Sequence, residues 1–238
     1  MSSSRSAVEL PWRKPVCVLL LLLCLPMLYL SLASFLSGVS SSQAEMFVSH
    51  WSDKREQPSE PAWQAARSAA ERAVSLVPGT NGDYWDRLGR VYEWRYIAQP
   101  FGAETAEASR QRALEGYRAS VKARPLWPHT WMQLAFIKLR LLQFDDEFDR
   151  ALAQASELGP WRMNVQAQLA EIGMIAWPQL SSEQKAATWE SLERTLRYSL
   201  SRARPLQDLA KRAGLYNELC AAVDPALLAQ RKWCNGVI

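Results

Sequence analysis

A long apolar segment near the N-terminus limits the structures open to this chain more than any other feature. Residues Val16 to Val39 include no charged side chain, and those from Val16 to Leu30 are almost all aliphatic. A helix crosses the hydrocarbon core of a membrane with about 20 apolar residues. The sequence therefore predicts a transmembrane helix over residues 16–39 that inserts into the lipid bilayer.

The charges on either side of this segment predict its orientation. Arg5, Arg13 and Lys14 precede it, and the first charged residue after it is Glu45. Basic residues remain on the cytoplasmic side of a membrane span. We therefore expect residues 1–15 to be cytoplasmic and the body of the protein to lie across the membrane, in the periplasm if the membrane is a bacterial inner membrane.

A cleaved secretory signal is the alternative interpretation of the same segment. Ser42-Gln43-Ala44 has the small-x-small pattern of a cleavage site directly before Glu45. The apolar core of such a signal is usually about 7–15 residues long, which is shorter than this segment. A retained anchor is therefore favoured, and both interpretations place the body in the same compartment.

The remaining chain has the length of one domain and a nearly balanced charge. Of the 238 residues, 25 basic and 23 acidic ones follow residue 44. Nucleic-acid binding requires clustered Lys and Arg to neutralise phosphates, and this balance argues against it. Residues 37–42 and 52–61 are polar and rich in serine and proline, so we interpret residues 40–60 as a linker.

From Pro61 to the C-terminus the apolar residues recur at helical spacing. They follow the i, i+3, i+4 pattern, and no alternating apolar and polar run persists. Prolines and glycines divide this stretch into helices of ordinary length. Residues 61–238 are therefore predicted to form one all-α domain.

The best-defined motif in this domain lies between residues 84 and 92. It reads Trp-x2-Leu-Gly-x2-Tyr, which resembles the first helix of a tetratricopeptide repeat. In such a repeat the glycine lets the second helix approach, while the large residues fill the seam between the helices. The motif residues are Trp85, Leu88, Gly89 and Tyr92, and the matching second helix contains Ala113, Tyr117, Ser120 and Pro125, after an insertion around residues 100–109.

A second unit follows at the expected distance, and partial units flank the two. Its first helix has Ala135 at the glycine position and Lys138 in place of the usual aromatic residue. Residues 66–78 have the spacing of a second helix standing alone, and residues 166–170 begin a third first helix. The second unit is marked by Trp131, Leu134, Ala135, Phe148, Leu152, Ala155 and Pro160. Because at least three repeats are needed to bury a continuous core, we predict a short solenoid of antiparallel helix pairs after the membrane helix.

The concave face of such a stack, which the first helices line, usually binds the partner. Transferring the groove positions of the repeat to this chain nominates nine residues for binding an extended peptide or a helix. They are Asp86, Arg90, Glu93, His129, Met132, Phe136, Asn164, Ala167 and Glu171.

The four cysteines fall into two pairs. Cys17 and Cys24 lie in the apolar segment, where cysteine acts as a small apolar residue. Cys220 and Cys234 lie in the exported body, where an oxidising compartment favours a disulfide that stabilises the C-terminal helices by roughly 3 kcal/mol. Two buried free thiols are the alternative for this second pair.

The sequence contains few groups that could catalyse a reaction. There are two histidines, His50 and His129, and no motif for a nucleophile, a phosphate-binding loop or a zinc-binding helix. The carboxylates of residues 145–149 are interpreted as helix N-terminal groups rather than as a metal site. Most of the eleven tryptophans are interpreted as packing residues rather than sugar platforms. We therefore predict a binding protein without a cofactor or metal, not an enzyme.

The whole pattern resembles accessory proteins of bacterial exopolysaccharide clusters, in particular the VpsP-like family. The features that resemble this family are the anchor, residues 84–92, residues 113–131 and the proline-bounded helices up to Trp161. The resemblance implies a periplasm-facing scaffold whose partners are polysaccharide polymerase or export proteins. A tethered periplasmic chaperone or assembly factor and a glycan-active enzyme are the alternatives.

Overall fold

The computed structural model describes residues 13–234, apart from the side chains of Arg13, Lys14 and Cys17. These residues form α-helices and one 3-10 turn and contain no strand, so the all-α prediction is confirmed. Most of the predicted cytoplasmic segment 1–15 lies outside the described residues. The helices are α1 (Arg13–Lys54), α2 (Glu60–Leu76), α3 (Gly82–Trp94), α4 (Glu104–Ala123), α5 (Pro128–Arg140), α6 (Asp146–Leu158), α7 (Met163–Ile175), α8 (Ser182–Tyr198), α9 (Leu200–Arg212), α10 (Tyr216–Ala222) and α11 (Pro225–Arg231), with a 3-10 turn at Trp177–Gln179.

Helix α1 contains the apolar segment and continues well beyond it. Within the described residues it is the one helix that is long and apolar enough to cross a membrane, and an 18-residue stretch of it has a mean hydropathy of 2.4. The linker predicted over residues 40–60 is wrong for its first part, because the chain stays helical to Lys54. Three of the serines that suggested a linker, Ser37, Ser40 and Ser41, lie on a helix-packing face. Ser37 and Ser41, for example, are buried.

The second half of α1 packs against α2 and belongs to the folded domain. Ala44, Val48 and Trp51 share a buried cluster with Trp63 and Ala70 of α2. The helix predicted to stand alone at residues 66–78 therefore has a partner. The helical domain begins inside α1 rather than at residue 61.

The following helices also pack as antiparallel pairs, α3 with α4, α5 with α6, and α7 with α8. In the α3–α4 pair, Gly89 lies against Gly116, and a Cβ added to Gly116 would lie 3.0 Å from the Gly89 Cα. Near the ends of the same pair, the Ser120 hydroxyl donates a hydrogen bond to the Gly82 carbonyl. The two missing side chains thus permit the close approach that the motif predicts for Gly89.

A buried lysine ties the turn between α5 and α6. Lys138 is fully buried, and its Nζ lies 2.9 Å from Asp145 and 2.8 Å from Glu147. Asp145 also caps α6 by accepting hydrogen bonds from the backbone N–H groups of Glu147 and Phe148. The interpretation of these carboxylates as helix N-terminal groups is therefore confirmed.

The C-terminal helices α9, α10 and α11 close the far end of the stack. They enclose an apolar cluster that includes Leu206, Leu219 and Trp233 together with Trp189 of α8. Cys220 and Cys234 form a disulfide within this cluster, with their Cα atoms 5.8 Å apart. The last helices are too short to be stable alone, and this link joins them to the core.

Candidate partner-binding cleft

The first helix of each pair lies beside the first helix of the next. Helix α1 contacts α3, α5 contacts α7, and Asp86 of α3 accepts a hydrogen bond from Thr130 of α5. These four helices line a cleft of about 400 Å³. The lining residues are Val48, Ser49, Ser52, Asp53, Arg90, Glu93, Trp94, Ile97, Gln133, Phe136 and Gln168. The structure thus brings together Arg90, Glu93 and Phe136 from the predicted groove.

One wall of this cleft comes from α1, which the sequence analysis did not include in the site. Val48, Ser49, Ser52 and Asp53 were assigned to the linker and so were not considered as binding residues. The sequence signal that could have identified them is the helical spacing of apolar residues at positions 44, 48 and 51. The candidate site therefore includes the helix that contains the apolar segment.

An ionic cluster joins α1 to α3 beside the cleft. Glu45 of α1 accepts a hydrogen bond from Arg87 Nε at 2.6 Å and pairs with Arg90. Arg90 also lies 3.3 Å from Asp86. Burial acts to raise the pKa of Glu45, but Arg90 and Arg87 outweigh it and lower that pKa. The cluster holds the Arg90 guanidinium in place, so Arg90 is primarily a structural contact.

The floor of the cleft contains a buried carboxyl group. Glu93 is 7% exposed, and it accepts a hydrogen bond of 2.6 Å from the Tyr117 hydroxyl. Burial raises the pKa of Glu93, although the Tyr117 hydrogen bond and the neighbouring Arg140 and Arg90 act in the opposite direction. Glu93 therefore links α3 to α4 rather than presenting a free charge.

Phe136 forms an aromatic wall of the cleft with help from the long α3–α4 connection. Its ring lies edge-on to Phe101, with the ring centroids 6.5 Å apart. Arg140 donates hydrogen bonds to the carbonyls of Tyr96 and Ile97, and Arg110 donates one to the Gln99 carbonyl. Burial and the nearby Arg140 lower the pKa of Arg110 to about 10. Two arginines thus hold the chain just before the insertion expected around residues 100–109, the second half of which is already part of α4.

The other predicted groove residues do not line this cleft. Met132 is buried against Val165 and Leu169, and Asp86 is engaged by Thr130 and Arg90. Ala167 packs against the C-terminal apolar cluster.

His129 and Asn164 lie near the beginnings of α5 and α7, away from the cleft lining. His129 packs on Trp127, and burial together with Arg162 lowers its pKa. Asn164 is exposed. Glu171 is half-buried on α7, and burial raises its pKa. Of the nine predicted groove residues, Arg90, Glu93 and Phe136 line the cleft, and none of those predicted on α7 does.

Two unpaired side-chain amides line the cleft beside Phe136, and this shared position, rather than the lack of a partner, sets them apart from Gln111 and Gln143. Among the described residues, Gln133 and Gln168 form no side-chain hydrogen bond within the protein, although both are only partly exposed. A larger cleft of about 540 Å³ lies between α6, α7 and α8, and there Gln184 Nε2 donates to Asp149. An amide has both a donor and an acceptor and can hydrogen-bond to the backbone of a peptide. The first cleft therefore has the free polar groups that recognition requires.

No protein-family model matches this chain, and no curated protein sequence is significantly similar to it.

Proposed function

We propose that this chain is a single-pass membrane-anchored adaptor whose helical domain resembles a short tetratricopeptide-repeat stack. Support for this arrangement comes from the antiparallel helix pairs, the Gly89–Gly116 contact and the side-by-side first helices. Support for anchoring comes from the length and apolar character of α1. The N-terminus is proposed to be cytoplasmic and the helical domain periplasmic, because Arg5, Arg13 and Lys14 precede the span.

The adaptor is proposed to bind an extended peptide segment of a protein partner in the cleft of α1, α3, α5 and α7. The observation that carries this proposal is the pair of unpaired amides, Gln133 and Gln168, beside the apolar surface of Phe136. Amides that pair with a peptide backbone and an apolar side chain that fills a pocket are the two parts of strand-like peptide recognition. The role is binding rather than catalysis.

The proposed partners are polymerase or export proteins of exopolysaccharide synthesis. This part of the proposal rests on the resemblance of the anchor and the repeat motif to VpsP-like accessory proteins. A tethered chaperone is the second candidate, because amide contacts to a peptide backbone carry little sequence selectivity and would suit many clients. The identity of the bound protein decides between them.

Site-specific photocrosslinking in intact membranes tests the cleft. A photoreactive amino acid replaces Gln133 or Gln168, and the control replaces Gln111, which is also partly exposed but lies on α4, a second helix. We expect adducts from positions 133 and 168 and none from position 111. Equal labelling from all three positions, or none from the cleft, would remove the cleft from consideration.

Mass spectrometry of the adducts then identifies the class of partner. A single membrane or export protein of a polysaccharide system supports the scaffold, whereas many unrelated envelope proteins support the chaperone. Partner recovery with Gln133→Ala/Gln168→Ala is expected to fall at least about 5-fold, since two lost hydrogen bonds at about 0.5–1.5 kcal/mol each amount to about 1–3 kcal/mol. Gln111→Ala is the matched control. Arg90 is unsuitable because its replacement also breaks the contact with α1.

A further inference from the structure

The antiparallel pairing places four turns of the helical domain at one end. Helices α1 and α3 run in the same direction, because Tyr84 lies beside Gly38 and Arg87 pairs with Glu45. A Cβ added to Gly38 would lie 3.7 Å from the Tyr84 hydroxyl oxygen. The beginning of α3 is therefore level with residue 38 of α1, where the apolar segment ends. We call this end of the domain the proximal end.

Contacts between neighbouring turns show that other turns of the domain lie at the same end. Arg124, after α4, pairs with Asp83 at the start of α3 and lies over the Trp127 ring. Arg162, before α7, also lies over the Trp127 ring, 5.8 Å from its centroid. The α2–α3, α4–α5 and α6–α7 turns therefore share the proximal end. The end of α8 joins them, because Tyr198 lies edge-on to Trp161, with the ring centroids 6.5 Å apart.

The exposed apolar side chains of the domain are concentrated at this end. Outside α1, the described residues include seven large apolar side chains that are exposed, and five of them are proximal. Leu126 and Trp161 are the most exposed, at 77% and 76%. The proximal five are Leu76, Leu126, Trp127, Trp161 and Tyr198, and the two at the opposite end are Leu142 and Phe144. We call the proximal five the rim.

Basic groups accompany the rim. Lys122 and Arg124 lie at the end of α4, and Arg162 precedes α7. Arg124 pairs with Asp83, while Arg162 forms no ion pair within residues 13–234. Exposed tryptophan and tyrosine rings beside arginine or lysine are typical of the membrane–water interface, where the rings enter the headgroup layer and the cations meet lipid phosphates.

The helix α1 indicates that the surface covering the rim is lipid. Ala33 and Ser37 are already buried in the domain, while Phe35, Leu36 and Val39 remain exposed within the apolar segment. Domain and apolar segment therefore overlap over residues 33–39, about 10 Å of helix at 1.5 Å per residue. This overlap brings the proximal end to the depth of the membrane interface.

We propose that the rim rests on the membrane surface from which α1 emerges, with its aromatic rings in the headgroup layer. This inference rests on the membrane anchoring of the proposed function. It orients the domain, because the α1 residues that line the cleft, 48–53, then lie about 15–22 Å along the helix from residue 38 at the membrane surface, at 1.5 Å per residue. Contact of both α1 and the rim with the membrane would hold the domain in one orientation relative to the bilayer.

Depth-dependent quenching in vesicles tests the rim. The full chain, with Cys17→Ser and Cys24→Ser, carries a cysteine for an environment-sensitive fluorophore as Leu126→Cys or Trp161→Cys. The control is Leu142→Cys, an exposed leucine at the opposite end of the domain. In phosphatidylcholine–phosphatidylglycerol vesicles with a quencher near the lipid headgroup, we expect at least about twofold stronger quenching at 126 and 161 than at 142.

The outcomes separate this inference from the anchoring on which it depends. If the protein floats with the vesicles and resists alkaline extraction, but labels at 126 and 161 are quenched no more than at 142, the rim does not meet lipid and the inference fails alone. A protein that does not float contradicts the anchoring itself. Reduced quenching after Arg162→Gln in anionic vesicles, but not in pure phosphatidylcholine, would support the role of the basic groups.

Discussion

At the scale of single residues, Gly89 sets how closely α3 and α4 approach. A Cβ at this position would lie 2.8 Å from the Tyr117 ring and 3.1 Å from the Ala113 carbonyl oxygen. Neither neighbour can move easily, because Tyr117 is fully buried and the carbonyl belongs to a helix. The motif at residues 84–92 indicated this role from spacing alone.

Gly89→Ala is therefore expected to destabilise the domain by about 1–3 kcal/mol through overpacking, despite the better helix propensity of alanine. Thermal unfolding of the detergent-solubilised protein measures it. Gly38→Ala is the control, since its Cβ would meet the Tyr84 hydroxyl at an ordinary 3.7 Å. A Gly89→Ala protein as stable as the wild type would mean that the pair is more loosely packed than described.

Glu93 gives the domain a pH dependence that a glutamine would remove. Its folded-state pKa is raised mainly by burial, so just above the ordinary glutamate pKa of 4.5 the folded state holds a proton that the unfolded state has lost. Stability from this group therefore falls as pH rises from about 4.5 towards the raised pKa. Glu93→Gln should keep an acceptor for the Tyr117 hydroxyl and lose this decline.

Chemical unfolding between pH 4 and pH 8 measures the difference between the two proteins. We expect the glutamine variant to gain stability relative to the wild type as pH increases, with Glu56→Gln as an exposed control. A difference that is constant with pH would contradict a raised pKa for Glu93.

At the scale of elements, the ionic cluster around Glu45 couples α1 to α3. Glu45→Ala removes the partner of Arg87 and Arg90 and should cost about 1–2 kcal/mol, a modest value because Glu45 is one-third exposed. Since the two arginines lower the pKa of Glu45, this contribution is present above pH 4.5 and is lost as pH falls through the lowered pKa. Equal stabilities of the wild type and Glu45→Ala at pH 7 would contradict the prediction. A stability difference between them that shrinks as the pH falls below 4.5 would support it.

The disulfide joins α10 to the end of the described chain. Cys234→Ser opens a link between residues separated by 14 positions and should lower stability by roughly 3 kcal/mol in the chain-entropy model. Reducing agent should lower the unfolding temperature of the wild type and leave that of the variant unchanged. Cys24→Ser, which removes an exposed free thiol, is the control. A wild type insensitive to reduction would contradict a stabilising bond.

Several elements could be predicted from sequence, while one boundary could not. The Trp85–Tyr92 motif located the α3–α4 pair because its glycine and aromatic spacing reports a local helix contact. The linker prediction failed for residues 40–54 because serine is common both in linkers and on tightly packed helix faces. Composition does not distinguish these cases, whereas the burial of Ser37 and Ser41 does.

At the scale of the whole molecule, the unbroken α1 bears on whether the anchor is retained. Cleavage after Ala44 would remove Ser37, whose hydroxyl donates a hydrogen bond to the Ala73 carbonyl, and Ser41, which pairs with Arg87. We expect the membrane-bound protein to retain residues 1–44, as measured by intact mass. A topology reporter that is active only outside the cytoplasm should be active when it is fused after Ile238. A mature N-terminus at Glu45 would contradict retention.

The sequence by itself determined the local properties of this protein. It predicted an apolar helix of membrane-crossing length, a helical body, a paired-helix motif and the acidic start of α6, because each depends on spacing along a few turns of chain. Only the tertiary structure decided that α1 forms a wall of the cleft and that Met132 and Asp86 are packed away from it. The orientation of a side chain in a helix stack depends on distant neighbours that the local pattern does not contain.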